Sequence, residues 1–158
     1  MVSAPLSAIA SETGNKDRLR LWIRLLRATH IIEGELRERL RREFATTLPR
    51  FDVMAALYRE PDGMLMGDLS RYLLVSNGNV TGIVDRLVSD GLIVRARREN
   101  DRRTSIVSLT EEGRRLFEQM AQSHEQWIAE LLAGVSSEEA RHLSATLRTF
   151  RSDWEGEH

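Results

Sequence analysis

The 158-residue chain has no cysteine, only three prolines and, among 23 basic residues, a single lysine, Lys16. Missing thiols exclude disulfides, thiolate metal ligation and thiol-based redox sensing. Scarce proline, beside ten glycines and long charged-apolar alternation, points to a mostly helical protein. Long apolar runs are missing as well. None approaches the roughly 20 residues that cross a bilayer, and residues 1–15 lack the basic start and apolar core of a secretory signal. A cytoplasmic protein is expected. His30, His124, His142 and His158 form no paired ligand spacing, so no metal and no cofactor is anticipated. No phosphate loop or nucleophile elbow occurs, and an enzyme has no residues to recommend it.

Net charge is only −1, but it is unevenly spread. Residues 93–108 carry five arginines against Glu99 and Asp101, whereas residues 111–158 carry five arginines against ten acids. A concentrated basic segment in a nearly neutral chain suits a focused phosphate contact better than general polyanion binding.

Residues 1–16 are small and polar, and read as a flexible arm. Asp17 to about Phe44 reads as a long helix whose apolar stripe is too wide for one seam. A second subunit is the simplest source of cover. Thr46-Thr47-Leu48-Pro49 offers a cap with proline in the first turn of a helix from about Pro49 to Arg59, and Glu60 to Gly63 reads as a turn. A short helix over Met66 to Tyr72 leads to Ser76, which would cap a helix stopped by Gly91. Two strands, Leu92 to Arg98 and Thr104 to Leu109, would flank a hairpin turn at Glu99 to Arg103. Thr110 caps a second long helix ending at Gly134. Ser136 and Glu139 have capping-box spacing, opening a last helix with Leu143, Leu147, Phe150 and Trp154 at steps of 4, 3 and 4. With Leu19 and Ile23, that seam is the expected dimer interface.

The helix after Ser76 carries the chemistry. Val80, Val84, Leu87 and Val88 fall on one side by the 100° step, and Gly78, Asn79, Gly82, Asp85, Arg86 and Ser89 on the other. Interior glycines cost a helix roughly 1 kcal/mol each. A weak surface helix is the bland reading. Helix-turn-helix spacing and the basic hairpin favour a backbone meant to come close to DNA, with Asn77, Asn79 and Thr81 as hydrogen-bonding side chains. Arg95 and Arg97 share one face of the first strand. Asp101-Arg102-Arg103 would place an arginine in a minor groove, oriented by the carboxylate. The fold class is therefore mainly α with a small β-hairpin wing: a winged helix-turn-helix lobe plus a helical dimerisation region.

The ordered set Leu69-Ser70, Val80-Thr81, Ile83 to Leu87, Gly91-Leu92-Ile93, Asp101-Arg102-Arg103 and Leu109 to Gly113 resembles the MarR family of transcriptional regulators along nearly the whole chain. The resemblance implies one domain over 17–158, with dimerisation helices at 17–47 and 111–158 and a DNA-binding lobe at 48–110. It also implies a homodimer on a near-palindromic operator. Gly78 and Gly82 depart from the larger polar or basic residues of many relatives, which shifts base reading toward Asn77, Asn79, Thr81 and groove shape.

The family commonly releases DNA on binding a small, often aromatic, anion. Trp22, Leu26, Thr29 and His30, with Phe51 and Met54, would wall such a cavity, and Arg24 or Arg27 would meet the anion. Residues 32–37, 47–52 and 76–82 are similar to regulators of aromatic-acid breakdown, some sensing acyl-CoA thioesters. The arginines of the first helix, Arg18, Arg20, Arg24, Arg27, Arg37, Arg39, Arg41 and Arg42, would suit CoA phosphates. The expectation is a repressor of aromatic-compound catabolic genes, released by an aromatic acid or its CoA thioester. Its rivals are a winged-helix protein-interaction module whose hairpin binds an acidic partner and a regulator without a small-molecule effector.

Overall fold

A computed structural model describes residues 6–73, 77–98 and 101–149, with side chains over 13–73, 79–97 and 105–149. The chain divides into two compact units, residues 1–124 and 125–158. The division falls inside the helix that follows Thr110.

In the first unit, α1 (Leu6–Phe44) is followed by α2 (Leu48–Tyr58), β1 (Met64–Leu65), α3 (Met66–Tyr72), α4 (Asn77–Ser89), β2 (Ile93–Arg98), β3 (Asp101–Leu109) and the start of α5 (Glu111–Leu131). The second unit holds the end of α5 and α6 (Ser137–Leu147). The arm expected over 1–16 is corrected: α1 begins at Leu6. Leu6, Ala8, Ala10 and Glu12 are good helix formers, and extending an existing helix needs no new nucleus.

α1 runs for ~58 Å, at 1.5 Å per residue. Leu36 and Leu40 are its buried residues, while Leu19, Leu21, Trp22, Ile23, Leu26 and Ile31 are exposed. Ion pairs line its surface, including Arg20–Asp17 at 2.9 Å, Arg37–Glu33 at 2.8 Å and Arg41–Glu38 at 2.7 Å. α2 starts as its sequence suggests: the Thr47 hydroxyl accepts from the Arg50 N–H at 3.4 Å, and Pro49 sits in the first turn.

The sheet has three antiparallel strands in the order β1-β3-β2, one more than the sequence pattern announces. β1 has two residues, too few for any alternation. Gly63, at φ +87°, delivers Met64 and Leu65 opposite Val107 and Ile106. β3 also begins earlier than expected. Asp101 pairs with Arg98 across a register shift between Arg97 and Arg98, so Asp101, Arg102 and Arg103 open a strand instead of lying in the turn.

The core of the unit combines Phe51, Val53, Met54, Ala56 and Leu57 of α2 with Leu69, Val80, Val84, Leu87, Ile93, Val107, Phe117 and Met120. Phe51 lies 5.4 Å from Phe117 and stacks on His124 at 4.8 Å between centroids. Tyr58 packs on Phe117, donates to Glu118 Oε1 at 3.0 Å and lies under the Arg114 guanidinium. The wing is pinned to α5 through Thr110: its N–H donates to the Leu92 carbonyl at 3.0 Å, its hydroxyl donates to Gly91 O at 2.7 Å, and that hydroxyl accepts from the Gly113 N–H. A Cβ on Gly113 would lie 2.0 Å from the Leu92 carbonyl oxygen. In the second unit, Ser136 and Glu139 form the expected capping box. α6 ends at Leu147, and Phe150 and Trp154 lie outside the described residues.

Two outcomes follow. Gly113→Ala gains helix propensity but forces α5 off backbone, so a net loss of about 2–3 kcal/mol in chemical denaturation is expected. Burial lowers the His124 pKa below its ordinary value. Its contribution to stability is therefore full above the ordinary imidazole range and is lost as pH falls through the lowered value. Asp52, whose carboxyl is raised by burial and then by Glu33, works in the opposite direction. Between pH 7.5 and 5 the melting temperature of His124→Gln should fall less than that of the wild type.

Candidate nucleic-acid interface

α4 presents two unlike faces. Val80, Val84 and Leu87 are fully buried, while Asn79, Thr81, Gly82, Asp85 and Arg86 are exposed. Val88, grouped with the apolar side by its spacing, is 38% exposed and lies at the rim of that side. A Cβ added at Gly82 would meet nothing within 4 Å. Packing inside the chain therefore gives no reason for this glycine, and its helix cost is unrecovered within the lobe. Gly91 takes φ +74° and turns the chain from α4 into β2.

α4 is tied to neighbouring elements in its middle and just past its C-terminal end. Arg50 of α2 pairs with Asp90 just past its C-terminus, and the Arg50 Nε is buried without a hydrogen-bond partner. Arg95 of β2 reaches Asp85 at 3.1 Å. Arg95 was expected on DNA, but its charge is engaged with α4. Arg97 is exposed on the same face of β2, opposite Ser105. Of the other expected DNA residues, Ser76 lies outside the described residues, as do the side chains of Asn77, Asp101, Arg102 and Arg103. Gly78 is placed only as part of α4.

The structure places the expected effector residues in two settings. Phe51 and Met54 are 6% and 1% exposed and belong to the lobe core. Trp22, Arg24, Leu26, Arg27, Thr29 and His30 lie on the exposed part of α1, with His30 Nδ1 donating to the Leu26 carbonyl at 2.9 Å. Trp22 is 14 residues before buried Leu36, ~21 Å along the helix. Two pockets, about 440 Å³ lined by residues such as Val135, His142 and Leu143 and about 330 Å³ beside Gly63 and Asp68, involve none of these eight residues. Among the described residues, no group of three His, Asp or Glu could hold a metal ion, and no helix is long and apolar enough to cross a membrane.

The sequence profile of the MarR family matches residues 46–104, from before α2 to the start of β3. A MarR-family regulator from Silicibacter pomeroyi is 39% identical, with a TM-score of 0.72 over 85% of this chain and 93% of that one. The chain belongs to the MarR family. It is a transcriptional regulator and not an enzyme. Among curated proteins, the transcriptional activatory protein BadR of Rhodopseudomonas palustris is 33% identical over 126 residues, covering 78% of this chain and 71% of BadR. A mutant Escherichia coli MarR complexed with operator DNA is 25% identical, with a TM-score of 0.75 over 86% of this chain and 96% of that one. CouR from Rhodococcus jostii RHA1, bound to p-coumaroyl-CoA, is 19% identical with a TM-score of 0.72, covering 82% and 89% of the two chains, and shares the fold.

The exposed MarR helix gives a direct test. Gly82→Ala should raise the unfolding free energy by about 1 kcal/mol, because the added methyl has open space and alanine favours helix. An unchanged or lower stability would mean the neighbourhood of Gly82 is already filled.

Proposed function

We propose that this MarR-family chain binds duplex DNA as a homodimer, laying the outward face of α4 in the major groove and the β2–β3 wing against the neighbouring minor groove. One observation carries the reading: α4 has a fully buried apolar back and, at Gly82, an outward face with no side chain between backbone and solvent. Asn79 and Thr81 flank that opening, Arg86 lies beside it, and the wing brings Arg97, Arg102 and Arg103. E. coli MarR in complex with its operator supports the same use of the fold.

The second copy is argued from exposed apolar surface. Leu19 and Ile23 on α1 and Leu143 and Leu147 on α6 are 57%, 40%, 53% and 47% exposed. Side chains of this kind stabilise by roughly 1.5–3 kcal/mol each when fully covered. The effector reading is narrower than the sequence suggested, because Phe51 and Met54 are core. Trp22, Leu26, Thr29 and His30 remain as an aromatic and polar surface, with Arg24 and Arg27 as the cations for a carboxylate or CoA phosphate. An aromatic acid or its CoA thioester binding there releases the DNA, and the protein acts as a repressor of aromatic-compound catabolism. CouR, whose ligand is p-coumaroyl-CoA, supports this class of effector.

The test is selection from random duplexes, repeated with benzoic and p-coumaric acids and their CoA thioesters. A near-palindromic sequence should be enriched, with steep salt dependence. Arg103→Ala should weaken binding by about 1–3 kcal/mol per half-site. One of the acids or thioesters should displace the DNA and quench Trp22, and Arg27→Ala should raise the concentration required. Leu143→Asp with Leu147→Asp should abolish the dimer in sedimentation. In a promoter reporter, deletion of the protein should raise transcription; a fall would make it an activator, as BadR is described. Enrichment of no sequence would overturn the DNA reading.

A further inference from the structure

The face assigned to DNA has a carboxylate on it. Asp85 lies about one helical turn beyond Gly82 and its side chain is 58% exposed. A free acid there would repel phosphate. Asp85 is not free: Arg95 Nη2 stands 3.1 Å from its Oδ1, on an arginine side chain only 32% exposed. The same guanidinium lies 3.9 Å from the sulfur of Met66, the first residue of α3. One side chain thus joins the start of α3, the middle of α4 and the first strand of the wing. Most ion pairs described here connect residues three or four apart in a single helix. Arg95–Asp85 and Arg50–Asp90 join different elements, and both end on or beside α4.

We propose that Arg95 and Asp85 form a strut that sets the spacing and angle between α4 and the wing, and so determine sequence discrimination without either residue touching a base or a phosphate. This rests on the DNA reading above. A helix in one groove and a strand pair at the next read DNA together only if their separation is held to a fraction of an ångström, since hydrogen bonds to base edges weaken steeply with misalignment. Phosphate contacts tolerate more error and carry no sequence information. Loss of the strut therefore lowers affinity for the correct duplex and spares the wrong one. Loss of a phosphate contact lowers both.

The experiment uses the full chain and two duplexes: the sequence most enriched by the wild type and a shuffled version of it. Affinity for each is measured over a range of salt concentrations for the wild type, Asp85→Asn, Arg95→Gln and the double variant. Each single variant is expected to reduce the ratio of the two affinities about three- to tenfold, with the salt slope unchanged. The double variant is expected to be no worse than the poorer single, as for two members of one interaction. Asp85→Asn that binds both duplexes more tightly is simple relief of repulsion and overturns the strut. Arg95→Gln that weakens both duplexes equally and lowers the salt slope by about one per lobe is a lost phosphate contact and also overturns it. If Arg95→Gln melts well below the wild type, Arg95→Lys replaces it, because it keeps the charge and stem but not the planar fork. A reduced ratio at unchanged slope then supports the strut, and an unchanged ratio overturns it. Should the wild type enrich no sequence, the DNA reading falls and the strut falls with it; a selective wild type with unchanged ratios in every variant overturns the strut alone.

Discussion

Complete burial of Val80, Val84 and Leu87 is the constraint on which the lobe depends. Three apolar side chains at helical spacing leave α4 one rotational setting about its axis. That setting turns Asn79, Gly82, Asp85 and Arg86 outward together. The surface offered to a partner is thus a consequence of what the helix hides, and a change in the core would rotate the whole face.

Fixing rotation does not fix position. Arg50 to Asp90 secures the end of α4 to α2, and Arg95 to Asp85 secures its middle to the wing. Exposed ion pairs are worth little in stability. Bonds of this kind matter more for where two elements sit than for whether they fold. The base of the wing is held differently, by the close approach of Gly113 to the Leu92 carbonyl and by the backbone and hydroxyl hydrogen bonds of Thr110.

α1 and α6 are unlike the lobe, because both carry exposed leucines and α1 also carries exposed Trp22, Ile23 and Ile31. Within each helix, local terms account for much of the order: ion pairs at three- and four-residue spacing on α1, and the Ser136–Glu139 capping box on α6. Leu19 and Ile23 on α1 and Leu143 and Leu147 on α6 are the exposed apolar residues that the proposed second copy would cover.

Sequence alone determined the features set by short-range chemistry. Thr47 with Pro49, Ser136 with Glu139, and Gly91 at positive φ mark element ends because capping and left-handed turns depend on neighbours in the chain. The α4 stripe was legible for the same reason, as were Met66–Tyr72 and the order of motifs that places the chain in the MarR family. Tertiary structure decided the rest. β1 is two residues long and exists through its pairing with β3, so no local pattern announces it. Phe51 looks alike as pocket wall or as core, since its burial depends on what Phe117 and His124 bring from 66 or more residues away. Arg95 reads as one more arginine of a basic wing until the fold sets it beside Asp85. A charge carries no sequence mark of its partner, and only the packed chain chooses one.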